Sequence, residues 1–241
     1  MRKNVIVTGA TKGLGLSTVN HLVKEGYRVI GIARKNSKSL QNLIQKYGST
    51  KIVFHQFDLQ ELKEIPSLIQ QIISKHGPLY GLINNAAIGS DGLLATMHAN
   101  DISNLLKINL EAPILMAKFS CRNMLLQGEG RIINISSIIA DTGFNGLSVY
   151  GATKAGLVGF TKSLSRELGR SNITVNCLSP GFMKTDMTAI LDSEKINSIS
   201  RRAPLGLPTT SDAAAAVVYL MSTEANKITG TTITVDGGST A

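Results

Sequence analysis

A tyrosine and a lysine stand four residues apart in the segment SVYGATKAG, at residues 148–156. On a helix this spacing places Tyr150 and Lys154 on one face. A phenol is a slow acid at neutral pH because its pKa is about 10, and a nearby ammonium is expected to lower that pKa. Such a group suits a reaction in which negative charge develops on an oxygen atom that must be protonated. The same spacing is common on helix surfaces, so by itself it leaves open a purely structural tyrosine.

Three glycines follow the first apolar stretch of the chain in the pattern G-x-x-x-G-x-G, at Gly9, Gly13 and Gly15. Glycines at the turn from a strand into a helix let the backbone approach a diphosphate, which the first amides of the helix then bind. We therefore predict a dinucleotide-binding turn. A tight turn without a ligand is the alternative that this pattern leaves open.

The residues after the second predicted strand indicate which dinucleotide binds. A site for NAD generally places an acidic residue here, on the ribose 2′-hydroxyl. This strand instead ends in GIARK, with Arg34 and Lys35 and no acid nearby, and Lys12 lies in the glycine turn. Cations attract a 2′-phosphate, so the pattern favours NADP(H), with solvated surface charges as the alternative.

The elements that must position these residues alternate regularly between short β-branched segments and amphipathic stretches of helix length. The predicted strands cover residues 5–8, 27–33, 51–57, 79–84, 130–136, 173–178 and 232–237. The predicted helices cover residues 15–25, 38–47, 61–76, 99–126, 150–169 and 211–222. The sequence thus predicts an α/β fold, a doubly wound Rossmann-type parallel sheet of about seven strands with helices on both faces, in a single domain over residues 1–241.

Composition and charge exclude several classes of protein. The 25 lysines and arginines outnumber the 16 acidic residues, and the net charge of +9 favours an anionic partner. The charge is scattered, without a long basic run or an aromatic platform, so we expect no nucleic-acid partner. No apolar run is long enough to span a membrane, and two cysteines are too few for a disulfide framework. We expect a cytoplasmic protein without a membrane partner or a metal site.

Seven motifs together resemble the short-chain dehydrogenase/reductase family and, within it, the bacterial 3-oxoacyl-[acyl-carrier-protein] reductases. In chain order they are TGATKGLG at 8–15, NNAA at 84–87, KINLEAP around Asn109, INISS at 133–137, YGATK at 150–154, SPGFMKTDM at 179–187 and ITGTTITVDGG at 228–238. The likeness covers essentially the whole chain, in the order and at the spacing of the family.

The resemblance implies a catalytic group made of Asn109, Ser137, Tyr150 and Lys154. In the family the tyrosine donates the proton, and the serine hydrogen-bonds the substrate carbonyl. The lysine also holds the nicotinamide ribose, and the asparagine helps to seat a water in a proton relay. On the residues alone, Ser137 could cap a loop and Asn109 could be a buried amide bonded to backbone.

The resemblance also implies a set of NADP(H)-binding residues. They are Gly9, Thr11, Lys12, Gly13, Leu14, Gly15, Arg34, Asp58, Leu59, Asn85, Ala86, Tyr150, Lys154, Pro180, Gly181 and Thr185. Among them, Asp58 is expected at the adenine amino group and Thr185 at the nicotinamide carboxamide. A helix cap at Asp58 and an ordinary turn at Pro180 are the structural alternatives.

The activity implied is NADPH-dependent reduction of a β-ketoacyl thioester to the 3-hydroxyacyl thioester, in fatty-acid synthesis or a related pathway. An acidic acyl carrier protein is the expected partner, and the assembly is expected to be a homotetramer. The candidate contacts for the carrier are Arg131, Arg166, Arg170, Arg201 and Arg202. Another ketone or alcohol, such as a sugar or steroid, is the alternative substrate, and a non-catalytic dinucleotide-binding scaffold is the alternative function.

Two departures from the family concern the substrate side. Ala87 stands where a glycine is usual, and Leu207 stands where an arginine is common. Neither touches the catalytic group. They leave open the shape of a substrate lid expected at about residues 186–208, and with it the substrate.

Overall fold

The computed structural model describes residues 2–185 and 198–241. Within these ranges the strands are β1 (Asn4–Thr8), β2 (Arg28–Ala33), β3 (Ile52–Gln56), β4 (Leu79–Asn84), β5 (Gly130–Ile135), β6 (Ile173–Pro180) and β7 (Thr232–Val235). They form a seven-stranded sheet in the order β3-β2-β1-β4-β5-β6-β7, with every neighbouring pair parallel. The strand order reverses between β1 and β4, which creates the kind of crevice where ligands bind in open α/β sheets.

Helices cover both faces of this sheet. They are α1 (Gly13–Lys24), α2 (Lys38–Tyr47), α3 (Ile65–His76), α4 (Ala99–Leu106), α5 (Ala112–Gln127), α6 (Ile139–Thr142), α7 (Ser148–Leu168) and α8 (Thr210–Met221). Short 3-10 turns lie at Leu62–Glu64, Leu94–Thr96 and Gly169–Ser171, and a π-helical stretch at Lys107–Glu111 joins α4 to α5.

Two hydrophobic layers hold the helices to the sheet. Side chains of α1, α2 and α8 pack on one face, and side chains of α3, α5 and α7 pack on the other. The strands serve both layers because their side chains alternate: Val5 and Val7 of β1 belong to the first layer and Ile6 belongs to the second. This double burial explains why the strands are apolar nearly throughout.

The predicted doubly wound sheet is confirmed, and each predicted strand agrees with the observed strand to within two residues at either end. The predicted helix over 99–126 is wrong in one respect, since it is interrupted by the π-helical stretch Lys107–Glu111. Pro113 has no N–H to donate to the carbonyl of Asn109 four residues earlier, so regular α-helical bonding cannot pass this point. The Ala112 amide bonds instead to the Lys107 carbonyl, five residues back. The short helix α6 is an additional element that the sequence pattern does not predict.

Candidate active site

The glycine turn after β1 is shaped by close backbone approaches. Gly9 has a φ of +66°, in the left-handed region, and a Cβ there would lie 3.0 Å from the Ala86 Cα. A Cβ on Gly15 would overlap the carbonyl oxygen of Gly9. The start of α1 can therefore approach β1 this closely only because both positions are glycine.

A threonine and an asparagine fasten this turn to the end of β4. The Thr8 hydroxyl accepts hydrogen bonds from the amides of Asn85 (2.9 Å) and Ala86 (3.0 Å). The Asn85 side-chain amide donates to the Thr8 carbonyl at 2.8 Å. Asn85 and Ala86, predicted as cofactor residues, thus lie against the turn. Thr8 is not among the predicted residues, although a hydroxyl at the end of an apolar strand is a signal available in the sequence.

Arg34 and Lys12 form a basic corner beside the turn, and a serine holds the two segments that carry them together. Ser37 caps α2 by accepting from the Leu40 amide at 3.1 Å, and its hydroxyl donates to the Thr11 carbonyl at 2.7 Å. This bond brings the segment that follows Arg34 against the glycine turn. Arg34 and Lys12 are both exposed there.

The beginning of α1 has the features of an anion site. Lys12 occupies its N-cap position. A lysine side chain has only donors, so it cannot accept from the first amides of the helix as serine or aspartate would. Those amides, the glycine cradle and the nearby cations fit a dinucleotide phosphate.

On the other side of the crevice, Ser137 and Tyr150 meet beyond the carboxyl end of β5. The Ser137 hydroxyl accepts from the Ile139 amide at 3.3 Å, at the start of α6. Burial raises the pKa of Tyr150, and a side-chain hydrogen bond with Ser137 acts in the opposite direction. Ser137 therefore caps a loop, as the structural alternative for this residue predicts. It also contacts Tyr150, as the catalytic interpretation requires.

Lys154 is buried beneath Tyr150 with 3% of its surface exposed. Its Nζ donates to the Ile135 carbonyl at 2.8 Å and lies 5.6 Å from the centroid of the Tyr150 ring. Burial lowers the pKa of Lys154 to about 8, and the nearby Cys177 thiol partly offsets this lowering. The net shift of the Tyr150 pKa is upward, opposite to the lowering that the sequence predicts, because burial of the phenol dominates.

Asn109 lies in the π-helical stretch, fully buried. Its side chain accepts from the Ile88 amide at 2.9 Å and donates to the Ile88 carbonyl at 2.8 Å. The paired bonds hold the loop that follows β4. Asn109 is thus a buried amide bonded to backbone, the structural alternative that the sequence leaves open. Its place in a π-helical segment is also typical of functional sites, where such segments frequently occur.

The remaining predicted cofactor residues surround the same edge of the sheet. Asp58 accepts from the Gln60 amide at 3.0 Å, so it caps a turn after β3. The Pro180 carbonyl accepts from the Ile138 amide at 3.2 Å, which ties the end of β6 to the Ser137 loop. The Gly181 amide donates to the Val235 carbonyl at 2.9 Å, which holds the next residue against β7.

Thr185 lies beside the glycine turn, with its Cγ2 3.8 Å from where a Cβ of Gly13 would be. The resemblance placed Thr185 at the nicotinamide end of the cofactor, whereas this contact is at the diphosphate end. Leu14 and Leu59 are buried with 7% and 8% of their surface exposed. Of the lid expected at 186–208, residues 186–197 lie outside the described residues.

The five arginines named as carrier contacts fall into three groups. Arg131 is 2% exposed, and its guanidinium donates to the Gly130 carbonyl at 2.7 Å, so it is a structural residue and that prediction is wrong. Arg166, near the end of α7, and Arg170, in the 3-10 turn Gly169–Ser171 that follows it, are exposed at the edge of the sheet opposite the active site. Arg201 and Arg202 are exposed in a segment that packs beyond the carboxyl end of β7, where the Leu205 amide bonds to the Gly237 carbonyl at 3.1 Å.

Comparison with protein families gives an independent result. The model of the family described as short chain dehydrogenase matches residues 3–196. The chain belongs to this family. The match includes the glycine turn, the Ser137 loop and all of α7, which are the elements that form the crevice.

Two bacterial relatives match this short-chain dehydrogenase over nearly its full length. The chain is 37% identical over 239 residues to the 3-oxoacyl-[acyl-carrier-protein] reductase FabG of Haemophilus influenzae, covering 98% of this chain and 97% of the relative. It is 38% identical over 239 residues to FabG of Aquifex aeolicus, covering 97% and 95% of the two chains.

Solved structures show the same fold. A double mutant of a short-chain dehydrogenase/reductase from Serratia marcescens matches with a TM-score of 0.91 and 27% identity, covering 99% of this chain and 98% of that chain. ElxO with NADP bound matches with a TM-score of 0.90 and 31% identity, covering 99% of each chain.

These comparisons establish the chemical class of the protein. It is an oxidoreductase that acts on CH–OH or C=O groups with a nicotinamide dinucleotide. Among the residues the structure describes, no helix is long and apolar enough to cross a membrane.

Proposed function

We propose that the protein reduces a 3-oxoacyl thioester, carried on an acyl carrier protein, to the 3-hydroxyacyl thioester with NADPH. The observation that carries the proposal is the meeting of Ser137, Tyr150 and Lys154 at the carboxyl end of β5, across the crevice from the glycine turn. The names of the relatives, which are 3-oxoacyl-[acyl-carrier-protein] reductases, support the substrate class.

The choice of NADPH over NADH is supported by the basic corner. Ser37 holds the start of α2 against Thr11, so Arg34 and Lys12 lie at the same end of the cleft. Two cations there favour a phosphate on the adenosine ribose, which bears about two negative charges at neutral pH. The neighbour with NADP bound has the same fold.

The chemistry divides between the cofactor and the side chains. When bound, a reduced nicotinamide supplies a hydride to the carbonyl carbon. The Tyr150 phenol donates its proton to the carbonyl oxygen as negative charge develops there, and the Ser137 hydroxyl donates a hydrogen bond to the same oxygen. The products are an alcohol and the oxidised cofactor, so one hydride and one proton account for the reduction.

Lys154 and the burial of Tyr150 have complementary effects in this proposal. Burial raises the pKa of Tyr150 and keeps the phenol protonated before reaction. The buried Lys154 ammonium, 5.6 Å from the ring centroid, stabilises the phenolate that remains after proton transfer. Lys154 would also hold the nicotinamide ribose hydroxyls, as its family implies.

The assay that tests the proposed activity compares three substrates with purified protein and NADPH. They are an acetoacetyl thioester on acyl carrier protein, the same acyl group on coenzyme A, and simple ketones. We expect the highest kcat/KM with the carrier-linked substrate. Turnover of simple ketones alone would indicate another reductase, and NADPH binding without any turnover would indicate a scaffold.

The surface that receives the acidic carrier protein is proposed to include Arg201 and Arg202. They are exposed at the catalytic edge of the sheet, whereas Arg166 is sixteen residues beyond Tyr150 on α7, about 24 Å along the helix axis. Charge reversal at Arg201 and Arg202 should raise KM for the carrier-linked substrate and leave KM for the coenzyme A substrate unchanged. The matched control reverses Arg166 and Arg170, and an effect there alone would move the docking surface to the opposite edge.

We also propose a cytoplasmic homotetramer. Leu106 of α4 and Leu126 of α5 are 42% and 82% exposed, which suits a helix-to-helix contact between subunits. Cys121 and Cys177 are free thiols, in keeping with a reducing compartment. Sedimentation at micromolar concentration tests the assembly, and a monomer would contradict it.

A further inference from the structure

Two polar residues on one face of β5 and the loop that follows it attach the catalytic helix α7 to the sheet. The Ser136 hydroxyl donates to the Lys154 carbonyl at 2.9 Å, and the Asn134 side-chain amide donates to the Thr161 hydroxyl at 2.9 Å. Residues two apart on a strand share a face, and residues seven apart on a helix lie two turns apart on one side. α7 is therefore held at two points, one of which is the backbone of Lys154 itself.

The second attachment is part of a longer buried chain of hydrogen bonds. The Asn84 side chain, on the neighbouring strand β4, donates to the Asn134 Oδ1 at 2.9 Å. On the far side, the Thr161 Oγ1 lies 3.1 Å from the Cys177 Sγ of β6, and that thiol donates to the Leu157 carbonyl of α7 at 3.7 Å. The chain thus crosses three adjacent strands and returns to α7 one turn after Lys154.

The same chain reaches the segment that contains Asn109. Asn84 also donates to the Pro113 carbonyl at 3.1 Å, in the first turn of α5 and directly after the π-helical stretch. A single set of side chains therefore links the Asn109 segment to the helix that carries Tyr150 and Lys154.

Stability alone does not account for these residues. Asn84, Asn134, Ser136 and Thr161 are each 3% exposed or less. Burying amides and hydroxyls costs free energy that hydrogen bonds only offset, and apolar residues of the same shape can be equally stable. What a directional buried network adds is a single allowed arrangement of the elements that it joins.

We propose that Asn134, Ser136 and Thr161 are positioning residues. They fix the rotation of α7 about its axis and its distance from the sheet, and this orients Tyr150 and Lys154 toward the cofactor and the substrate carbonyl. The inference rests on the proposed catalytic roles of Tyr150 and Lys154. Asn134 and Ser136 act through Thr161 and the Lys154 backbone and touch no reacting atom.

The decisive comparison is between Thr161→Val, which keeps the shape and removes the hydroxyl, and Thr161→Ser, which keeps the hydroxyl. We expect T161V to lower kcat/KM about tenfold, because small displacements of catalytic groups are costly. T161S should restore kcat/KM to within about twofold of the original protein, as expected if the hydroxyl rather than the methyl group matters.

A second readout separates positioning from a loss of folded protein. The groups that face Lys154 are the Cys177 thiol of β6 and Tyr150 on its own helix. A shifted α7 changes the distances from the Lys154 Nζ to the Cys177 thiol of β6 and to the Ile135 carbonyl of β5. The midpoint of the kcat/KM pH profile should therefore move by about half a unit in T161V and not in T161S. Thermal unfolding of both variants should remain a single transition, with T161V lowered by no more than about 10 °C because the Asn134 amide loses its acceptor.

Ser136→Ala provides an independent test if T161V fails to fold, because it removes the other attachment of α7 and leaves the chain of hydrogen bonds from Asn84 to Cys177 intact. It should reproduce the loss in kcat/KM and the shifted midpoint. Unchanged kcat/KM and midpoint in both T161V and S136A, or the same loss in T161S as in T161V, would overturn the inference.

The proposed function is tested separately by the original protein alone. If it reduces no thioester, the variants are compared on the ketone that it does reduce. If it reduces neither, they are compared by the Kd for NADPH, which T161V should raise and T161S should not. An equal Kd in all three proteins would then overturn the positioning role.

Discussion

The glycine turn and the junction between β5 and α7 face each other across the crevice, but they are built in different ways. The turn depends on what is missing: Gly9 and Gly15 carry no side chain, and the backbones approach until a Cβ could not fit. The junction depends on buried polar groups, including the Lys154 ammonium and the amide of Asn134. Cofactor binding should therefore be weakened by side-chain atoms added at the glycine turn. The rate of the reaction should be lowered by hydrogen bonds lost at the junction and should depend on pH.

The largest effect should come from the catalytic side. Tyr150→Phe removes the proton donor and one hydroxyl in contact with Ser137 and should lower kcat by about a thousandfold. The rate of NADPH oxidation measures it, and the Kd for NADPH should change far less than kcat. Activity near that of the original protein would remove Tyr150 from the mechanism.

On the cofactor side, Gly15→Ala should raise the Kd for NADPH by about a hundredfold, because its Cβ overlaps the Gly9 carbonyl and forces α1 away from β1. Fluorescence titration of NADPH measures the change. The same substitution at Gly169, where a Cβ meets nothing within 4 Å, is the control and should leave Kd unchanged. Equal effects at both positions would contradict the close approach.

A smaller effect is expected at the exposed basic corner. Arg34→Asp places a negative charge near the 2′-phosphate and should lower the ratio of kcat/KM for NADPH to that for NADH by about tenfold or more. Lys227→Asp makes the same change of charge in an exposed loop before β7 and should leave the ratio unaltered. If R34D also leaves the ratio unaltered, the preference arises elsewhere.

The pH dependence sharpens the contrast for the catalytic side. With the pKa of Lys154 lowered by burial to about 8, kcat/KM should fall above that pH as the ammonium loses its proton. Lys154→Arg, which stays charged, should remove this decline from whatever activity it retains. A profile that is flat to about pH 10, the ordinary range of a lysine, would mean that Lys154 stays charged or is not needed.

The free energy of unfolding should respond in the opposite direction. The pKa of Lys154 is lower in the folded protein than its ordinary value of 10.5, so the unfolded chain binds more protons between about pH 8 and that value. The contribution of Lys154 to the free energy of unfolding therefore rises with pH through this window. Urea unfolding at several pH values, compared with Lys154→Met, measures that contribution.

The order of strands and helices and the crevice at their carboxyl ends could be predicted because they depend on local patterns. Apolar strands alternate with amphipathic helices, and the glycine spacing marks a turn at a known place. The break at Lys107–Glu111 could also be inferred from the sequence, since Pro113 lacks the N–H that regular bonding requires there. The prediction for Arg131 is wrong because a charged residue is usually exposed, whereas this one packs over the Tyr80 ring at 5.4 Å.

The sequence by itself determined the fold, the family and the residue types that line the crevice, because these follow from periodicity, spacing and motif order. Only the tertiary structure decided the electrostatics of Tyr150 and Lys154. Their i, i+4 spacing gives proximity, but burial sets the direction of both pKa shifts, and burial depends on the packing of α7 against β5 and β6. The attachment of α7 through Asn134 and Thr161 is likewise a tertiary result, because it joins residues that are 27 positions apart in the chain.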